Sequence, residues 1–525
     1  MDRRSFLGLT GSTLLIGSLP KSVIAAAVGD TNLAAALISL SRQMDGYVLL
    51  PGVKNFRYEN MPANDRYERI TPFAIAMCKT PKDVVRCVHF CRNTGIQPTI
   101  RGGGHNYAGA SSSRGLLIKT TLMNGISSTF VQGKKRIRVD AGALNRNLLA
   151  NLRGGEWMLP IGTCPTVGVA GLTLGGGIGD NSRWAGMTSD CLVETDIVLA
   201  SGELVTANSN SNSDLFWACR GGAGGNFGVN TSLTFDLVQL KQKEITIFGF
   251  RFGGVDRAIE AFTKFDNIMQ TAPVELSGFM GLTNQHPLGS DSQTSAGTTL
   301  SYPEFSIDGC YQGSVSEARD LLAPLISMAN PLGSLIGPAE FWWAQISYLA
   351  VPDQPKHGFA ECARYCNSAL PQTVVAELVN RVMNAPGGTS DAFAEVRLMC
   401  WSGGSVINGI PRTQTAYVHR NSTTLLRPAV WWRETPRGLQ NDLLAWMNST
   451  YAYIQPYTQP ESFQNWPDAV ISDWPQAYYG ENLHQLMDVK TKYDPHNLFR
   501  YSQSIPVRSH PFGAGLANHT ALGTA

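Results

Sequence analysis

Apolar residues recur with two different spacings along this chain. From about residue 70 to residue 240, short apolar runs that suit buried strands alternate with runs of helical spacing. The run PKDVVRCVHFCRNTG (81–95) predicts an amphipathic helix that ends at its glycine, and SDLFWACR (213–220) predicts a second, short helix. The predicted strands around them are FAIAMC (73–78), QPTIR (97–101), GLLIKT (115–120), RIRVDAG (136–142) and DIVLASG (196–202). This part of the chain is therefore predicted to be α/β.

Longer strands are predicted from Lys241 to Gln459. Three segments have the length and residue content of antiparallel strands: EITIFGFRF (244–252), TSAGTTLSYPEF (294–305) and AFAEVRLMCWSGG (392–404). Helical spacing returns in VDRAIEAFTKFDNIM (255–269) and VSEARDLLAPLISMA (315–329). The whole chain is thus predicted to be α+β, with an α/β part followed by an antiparallel sheet and its helices.

The first 27 residues have the features of an export signal. Arg3 and Arg4 precede a modestly apolar region, and Ala25 and Ala27 form an A-x-A cleavage site, which together predict a twin-arginine signal cut after Ala27. Glycines and serines interrupt the apolar region, which is far shorter than the roughly 20 residues that span a bilayer, so we expect no stable membrane anchor. The mature protein is predicted to be periplasmic or secreted through the twin-arginine machinery.

Composition indicates an ordinary soluble enzyme. The chain has 525 residues, 43% hydrophobic and 16% charged, with a net charge of +2, which is enough for two domains with substantial cores. No basic run indicates a nucleic-acid partner. The cysteines are too scattered for a disulfide framework or a metal site, so we expect them in the core, with an occasional disulfide left open.

Two glycine-rich stretches each carry one nucleophilic side chain. PTIRGGGHNYAG (98–109) places His105 directly after three glycines, and GTCPTVGVAGLTLGGGIG (162–179) places Cys164 before a run of small residues. Glycines leave backbone N–H groups uncovered, so a phosphate or a flat ring can approach them. The pair of stretches predicts a long, diphosphate-bearing cofactor, and the dinucleotide fingerprint of nicotinamide dehydrogenases is missing.

These stretches resemble a known family. RGGGHNYAG, GTCPTVGVAG with GGGIG, residues 198–229 and YYGENLHQLMDVKTKYDPHNLFRYSQSIP (478–506) are similar to the berberine-bridge-enzyme-like branch of the FAD-linked oxidases, here as a bacterial, exported member. The resemblance implies a two-part FAD-binding domain of the vanillyl-alcohol oxidase type (40–240) and a substrate domain with an antiparallel sheet covered by helices (241–459). It also implies a return to the first domain (460–506), followed by a loose tail (507–525).

The same resemblance implies how FAD is held. In the family, the histidine at the position of His105 is bonded to the flavin 8-methyl carbon and the cysteine at the position of Cys164 to carbon 6, so bicovalent FAD is expected. The other predicted cofactor-binding residues are Arg101, Gly102, Gly103, Gly104, Asn106, Gly168, Gly171, Asn226, Gly228 and Asn465.

The catalytic base is harder to assign. Where relatives carry catalytic tyrosines, this chain has Trp466 and Trp184, and the strand beyond its His-Arg pair offers Arg427 where other relatives have Glu or Gln. The remaining candidates are Tyr478, Tyr479, Glu395 and Arg397. A carboxylate with a raised pKa beside an apolar wall would serve as a base, and an arginine would hold an anionic substrate; the alternation of a strand fits a plain salt bridge equally well.

The tryptophans of the second part, Trp342, Trp343, Trp401, Trp431 and Trp432, include candidates for a flat wall against a ring-shaped substrate. Val167 occupies the position at which oxygen-reactive relatives carry valine, which implies transfer of electrons to O₂. The predicted function is oxidation of a CH–OH group in a sugar or aromatic metabolite, with release of H₂O₂. The alternatives are a dehydrogenase or oxidative cyclase acting on C–H beside nitrogen, and a flavin-carrying protein that has lost catalysis.

Overall fold

The computed structural model describes residues 29–285, 304–331, 333–348 and 356–508. The predicted export signal lies outside the described residues, as does the predicted tail beyond residue 508, so both stay predictions. Among the helices of the described ranges, none is long and apolar enough to cross a membrane.

The first sheet is small and mostly parallel. Its strands are β1 (Tyr47–Leu49), β2 (Ala74–Met77), β3 (Pro98–Arg101) and β4 (Leu116–Lys119), in the order β1-β2-β4-β3, with β1 antiparallel to β2. The predicted helix after β2 runs over Pro81–Thr94. Thr80 and Asp83 form a capping box at its start, and Gly95, at φ +72°, ends it in the left-handed conformation. This helix and the strands on either side of it are confirmed.

The second sheet is antiparallel and continues the first half of the chain. Its strands have the order β5-β6-β10-β8-β9, and β7 pairs with β11 in a separate ribbon. The bounds are β5 (Ile126–Val131), β6 (Lys134–Asp140), β7 (Trp157–Met158), β8 (Leu192–Leu199), β9 (Leu204–Asn208), β10 (Gly228–Asp236) and β11 (Val238–Gln239).

The third sheet is the largest one in the described residues and is antiparallel throughout. Its strands are β12 (Glu244–Gly253), β13 (Leu276–Thr283), β14 (Glu304–Tyr311), β15 (Leu335–Glu340), β16 (Gly358–Glu361), β17 (Arg364–Cys366), β18 (Ala392–Met399) and β19 (Thr424–Trp432). They follow the order β15-β12-β14-β13-β18-β19-β16, with β17 also paired to β19. The predicted strand at 294–305 has only its last two residues in β14, and the rest lies outside the described residues.

Four long helices pack on the third sheet. They are Val255–Thr271, Val315–Ile326, Gln372–Met383 and Arg437–Ile454. Their apolar faces bury against it in one continuous core. The predicted α+β class, with an antiparallel sheet covered by helices, is therefore confirmed, while the predicted domain boundaries stay predictions.

The remaining helices lie outside this layer. The α-helices are Thr31–Gln43, Phe56–Asn60, Asn145–Leu152, Val169–Leu174, Ser182–Ala185, Ser213–Ala218, Phe341–Trp343, Ser405–Asn408, Trp474–Tyr479 and Leu483–Tyr493. Single turns of 3₁₀-helix occur at Asp65–Tyr67, Thr188–Cys191, Gln455–Tyr457 and Gly480–Asn482, and a π-helical turn at Ala344–Tyr348.

A buried ion pair fastens the end of the chain to the first half. Lys490 and Asp494, both without exposed side-chain surface, lie 2.7 Å apart at the end of helix Leu483–Tyr493. The Lys490 ammonium also donates to the carbonyls of Asn226 and Phe499, and Asp494 accepts from the backbone N–H of Phe499. The return segment, residues 460–506, is therefore held against the turn before β10.

The cysteines are core residues, as expected. Nine of the ten are buried, and Cys164 is the half-buried exception. Cys78 and Cys87 have their sulfur atoms 3.8 Å apart in the core beside β2.

Candidate active site

A cavity of about 770 Å³ lies where the two smaller sheets meet the third sheet. One side is backbone from the end of β3, the loop after it and residues 162–174. The other side is made of side chains from β13, β18 and β19, and the return segment closes the floor with residues 463–467 and 499–503. The shape offers a ligand a bare backbone surface on one side and a chemically varied wall on the other.

The two glycine-rich stretches touch each other through their backbones. A Cβ on Gly103 would lie 2.4 Å from the Gly168 nitrogen, and a Cβ on Gly168 would lie 2.7 Å from the Gly103 nitrogen. Side chains cannot be placed there, so both positions require glycine. Gly104 has φ +78°, which turns the chain into the cavity. The two stretches therefore form one continuous surface of bare backbone, the cradle, on this side of the cavity.

His105 and Cys164 both line this cradle. The Nε2 atom of His105 is 3.0 Å from the hydroxyl of Thr166, two residues beyond Cys164. Asn145 donates to the Cys164 carbonyl at 3.0 Å and so fixes the loop. Burial and the carboxylate of Glu361 raise the pKa of the Cys164 thiol, although nearby arginines oppose this rise.

The cradle fits an extended cofactor with a flat ring and a diphosphate. Backbone without side chains lines the cavity at Gly102, Gly104 and Gly171, and again at Gly224 and Gly225 on its far part. Uncovered N–H groups of this kind suit phosphate oxygens and a ring edge. The lining therefore fits FAD.

Gly171 gives a direct test of this space. It lies in helix Val169–Leu174, and a Cβ added to it would meet no atom within 4 Å. Gly171→Ala is expected to keep the fold, with up to about 1 kcal/mol of added helix stability, and to lower the flavin-to-protein ratio because the methyl group enters the cofactor space. Absorbance of the purified variant and its melting temperature measure the two effects.

Gly103→Ala is the matched control, because its Cβ meets backbone instead of open space. This variant is expected to lose folding stability, by about 1–3 kcal/mol or more. A Gly171→Ala protein with the full flavin content of the wild type would show that the cofactor does not occupy this side.

Most of the predicted site residues line the cavity. They are Gly102, Gly103, Gly104, His105, Asn106, Cys164, Val167, Gly168, Gly171, Gly228, Glu395, Arg397, Asn465, Tyr478 and Tyr479. Two predicted cofactor-binding residues do not. The Arg101 guanidinium donates to the carbonyls of Asn60 and Ser111 and to the Ser112 hydroxyl, behind the lining. Asn226 uses its side chain on the carbonyl of Gly222 and the phenol of Tyr501. The side chains of both residues support the wall, and contact of either residue with the cofactor stays a prediction.

The two predicted catalytic tyrosines are buried in the floor. The Tyr478 phenol donates to Gln503 at 3.3 Å, and the Tyr479 phenol donates to the Gly222 carbonyl at 3.4 Å. Burial raises the pKa of both phenols well above the usual range. They are therefore protonated donors to the protein, which argues against the hypothesis that either is the base.

Glu395 is also unsuited to accept a proton. Its carboxylate binds Arg397 at 3.0 Å and Arg427 at 3.0 Å, and accepts from the Trp431 indole at 3.2 Å. Burial raises its pKa, but the two guanidinium groups outweigh burial and hold the pKa of Glu395 below its usual range. The direction of this pKa shift argues against Glu395 as the base. Of the two interpretations left open for this strand face, the salt bridge between Glu395 and Arg397 is present, and both residues also line the cavity.

Glu361 is not among the predicted site residues, yet it has the expected property. It is the last residue of β16, has no exposed surface and lines the cavity. Burial raises the pKa of this carboxyl to about 7, against the opposing charge of Arg427, 3.2 Å away. A single acidic residue inside the apolar run GFAEC was the available signal, because buried carboxylates need a partner or a task.

Aromatic rings form much of the wall opposite the cradle. Trp431 stacks on Phe393 with ring centroids 6.1 Å apart, and Trp401 meets Phe279 edge to face at 6.0 Å. Trp466 also lines the cavity, under the Arg427 guanidinium.

Four other tryptophans considered from the sequence lie outside this lining. Trp342 and Trp432 are core residues and Trp343 is exposed. The indole of Trp184 donates to Asn181. Of the predicted flat wall, only Trp401 and Trp431 are thus at the cavity.

Two family models match the chain. Residues 72–208 match the model described as FAD binding domain, and residues 462–506 match the model described as berberine and berberine like. The FAD-linked oxidoreductase YgaK of Bacillus subtilis (strain 168) is 29% identical over 83% of this chain and 91% of its own length. Chitooligosaccharide oxidase of Gibberella zeae is 27% identical over 83% of this chain and 87% of its own length.

Solved structures have the same fold. The chitooligosaccharide oxidase structure superposes with a TM-score of 0.74 at 25% identity, covering 90% of this chain and 100% of that chain. The wild-type BBE-like 1 of Physcomitrella patens superposes with a TM-score of 0.77 at 24% identity, with the same coverage.

Proposed function

Since the chain is a berberine-bridge-enzyme-like FAD-linked oxidoreductase, we propose that it oxidises a CH–OH group of a sugar or an aromatic metabolite and passes the electrons to O₂. The observation that carries this proposal is the cavity itself. His105 and Cys164 stand on its backbone side, and charged and aromatic side chains face them from β18 and β19. A flat cofactor on the backbone side leaves the other half for a substrate ring.

We further propose that FAD is attached through both His105 and Cys164. When bound, FAD takes the hydride from the substrate carbon and hands two electrons to O₂, which leaves with two protons as H₂O₂. The protein has three remaining tasks: to hold the substrate carbon against the cofactor, to keep bulk water out and to take the hydroxyl proton. The rings of Trp401, Trp431 and Trp466 suit the first two tasks, because flat apolar faces pack on sugar and aromatic rings alike.

The sugar half of the proposal is supported by the relative whose name is chitooligosaccharide oxidase. Export through the twin-arginine route is a separate proposal, supported by Arg3, Arg4 and the A-x-A site ending at Ala27. A periplasmic or secreted oxidase would meet oligosaccharides and dioxygen outside the cytoplasm.

The test is a peroxide assay on the purified yellow protein. Glucose, xylobiose, chitooligosaccharides and vanillyl alcohol serve as probes, and at least one should yield H₂O₂. A protein that is reduced by a probe but makes no peroxide would be the dehydrogenase alternative. A protein whose flavin no probe reduces would be the flavin-carrying alternative, and the proposed function would be overturned.

Val167 gives a prediction about oxygen. Its side chain lines the cavity beside the cradle, three residues after Cys164. O₂ is small and apolar, and a gap of about one methyl group admits it in an interior packed to a density of about 0.74. Val167→Leu is expected to slow reoxidation of the light-reduced protein in air by at least about tenfold, measured by stopped flow without any substrate.

Val167→Ala is the control, because it widens the same gap and should preserve the fast rate. Equal rates in the leucine variant and the wild type would contradict gating at this position. So would a wild type that reoxidises no faster than free reduced flavin.

A further inference from the structure

Four charged side chains lie side by side on one face of the third sheet. In the strand registers, Glu361 of β16 and Glu395 of β18 are both paired with Ala429 of β19. Arg427 and Arg397 are themselves paired one step along the same face. The small side chain of Ala429 leaves space between the two carboxylates, and Arg427 occupies it by binding both, at 3.2 Å to Glu361 and 3.0 Å to Glu395.

The partners of the two carboxylates are unequal. Glu395 is bound by two guanidinium groups and an indole, which satisfy both of its oxygens. Glu361 shares one guanidinium, that of Arg427, and neither of its oxygens has a hydrogen-bond partner among the described residues. A buried carboxylate with open acceptor capacity on a cavity wall is suited to a further hydroxyl group.

Glu361 is also on the correct side of the cavity. It influences the pKa of Cys164 and of Tyr107, so it lies within electrostatic range of the cradle. Tyr107 follows His105 by two residues and lines the same space. Glu361 therefore lines the same cavity as the cradle and Trp431, within electrostatic range of Cys164.

We propose that Glu361 is the catalytic base, with Arg427 as the residue that positions its carboxylate. The assignment rests on the proposed oxidation of a CH–OH group. The ionised carboxylate accepts the proton of the substrate hydroxyl, while bound FAD would take the hydrogen of the same carbon as hydride, so that C–OH would become C=O. The proton then passes to solvent when the product departs, and the carboxylate is restored.

The charged and titratable neighbours set the pH at which this base is active. Arg427 and Tyr107 favour the ionised form of Glu361, as does Arg397, while burial and Glu395 oppose it. Two thiols are also near Glu361. Cys362 is the next residue in the chain and is buried, and Cys164 lies on the cradle side of the cavity. The net effect places the pKa of Glu361 at about 7, so the rate of flavin reduction should rise with pH and level off above neutrality.

Glu361→Gln is the main test, with glucose, xylobiose, chitooligosaccharides and vanillyl alcohol as the probes. Anaerobic reduction by the probe that the wild type oxidises is expected to slow by roughly 100- to 10,000-fold, because a general base contributes that much. Flavin content, light-driven reduction and reoxidation in air should stay at wild-type levels. Glu361→Asp should retain part of the rate and its rise with pH.

Glu395→Gln is the matched control, since it removes a carboxylate from the same cluster. It is expected to weaken probe binding and raise KM, yet to keep the rise of kcat with pH. If Glu361 served only as the ion-pair partner of Arg427, Glu361→Gln would behave like Glu395→Gln.

Thermal unfolding gives a readout that needs no turnover. The folded pKa of Glu361 lies above its unfolded value of about 4.5, so the wild type should lose stability relative to Glu361→Gln as pH rises from about 4.5 to about 7. The melting temperature of the Gln variant minus that of the wild type should therefore increase over this pH range.

The outcomes separate the two proposals. A wild type that no probe reduces overturns the proposed function and the base assignment together. A wild type that is reduced, beside a Gln variant that keeps its rate or its rise with pH, overturns the base assignment alone. If the Gln variant does not fold, an Asp variant with a wild-type rate and no shift of the pH profile also overturns it.

Discussion

Replacing Asp494 by alanine is expected to lower the free energy of unfolding by about 3–5 kcal/mol. The carboxylate and the Lys490 ammonium have no exposed side-chain surface, and the 2.7 Å contact between them is buried. Burial lowers the pKa of Lys490. The Asp494 carboxylate opposes this shift and so favours the charged ammonium. Without it, a buried positive charge has only the carbonyls of Asn226 and Phe499 as partners.

The effect should reach the cofactor as well. Asp494 accepts from the backbone N–H groups of Leu498 and Phe499, and the residues that follow them form the cavity floor. Loss of these bonds frees the return segment, so we expect a lower flavin content together with the lower stability. Urea unfolding followed by circular dichroism measures the stability, and visible absorbance measures the flavin content.

Asp488→Ala is the control on the same helix. Asp488 pairs with Arg508 at the surface, where its side chain is 58% exposed. Exposed pairs contribute at most about 1 kcal/mol, so this variant should unfold almost as the wild type does. Equal losses in the two variants would contradict the view that burial makes the Lys490 pair decisive.

Removing both His105 and Cys164 is expected to free the flavin completely. The double variant His105→Ala/Cys164→Ala should give a colourless protein pellet after acid precipitation, with all flavin in the supernatant. Each single variant should keep the colour in the pellet, since imidazole and thiolate are both competent nucleophiles toward an electron-poor ring and the other bond remains. Mass spectrometry of the flavin-bearing peptides identifies the attached residue.

Thr166→Val is a useful companion to these variants. It removes the hydroxyl that lies 3.0 Å from Nε2 of His105 and leaves His105 and Cys164 in place. Flavin should still become attached to the Thr166→Val variant, but more slowly than to the wild type. The bicovalent proposal fails if denaturation frees the flavin of the wild type, or if either single variant loses all of its flavin on denaturation.

Local patterns were sufficient to predict part of the first half, although β5, β9 and β10 of the second sheet were not predicted. The helix Pro81–Thr94 carries its own start at Thr80 and its own end at Gly95, so no distant residue was needed to place it. The two glycine-rich stretches could be recognised for the same reason, but the contact between Gly103 and Gly168 was not predicted.

The candidate site depends on partners far apart in the chain, and there the sequence was insufficient. Arg101 directly precedes the glycines, yet its guanidinium donates to the carbonyls of Asn60 and Ser111 and is not part of the cavity lining. Glu361 acquires its environment through the pairing of β16 with β19, which joins it to Arg427 across 66 positions of sequence. A strand register of this kind cannot be read from either segment alone.

The most direct measurement of the central claim is a single turnover of the purified holoenzyme. The protein is mixed without oxygen with the probe that gives peroxide in the assay, and air is then admitted while the flavin absorbance is followed. We predict that the flavin bleaches, that one carbonyl product forms per flavin, and that the colour recovers in air with release of one H₂O₂ per flavin. Bleaching without peroxide on admission of air, or no bleaching with any probe, would contradict it.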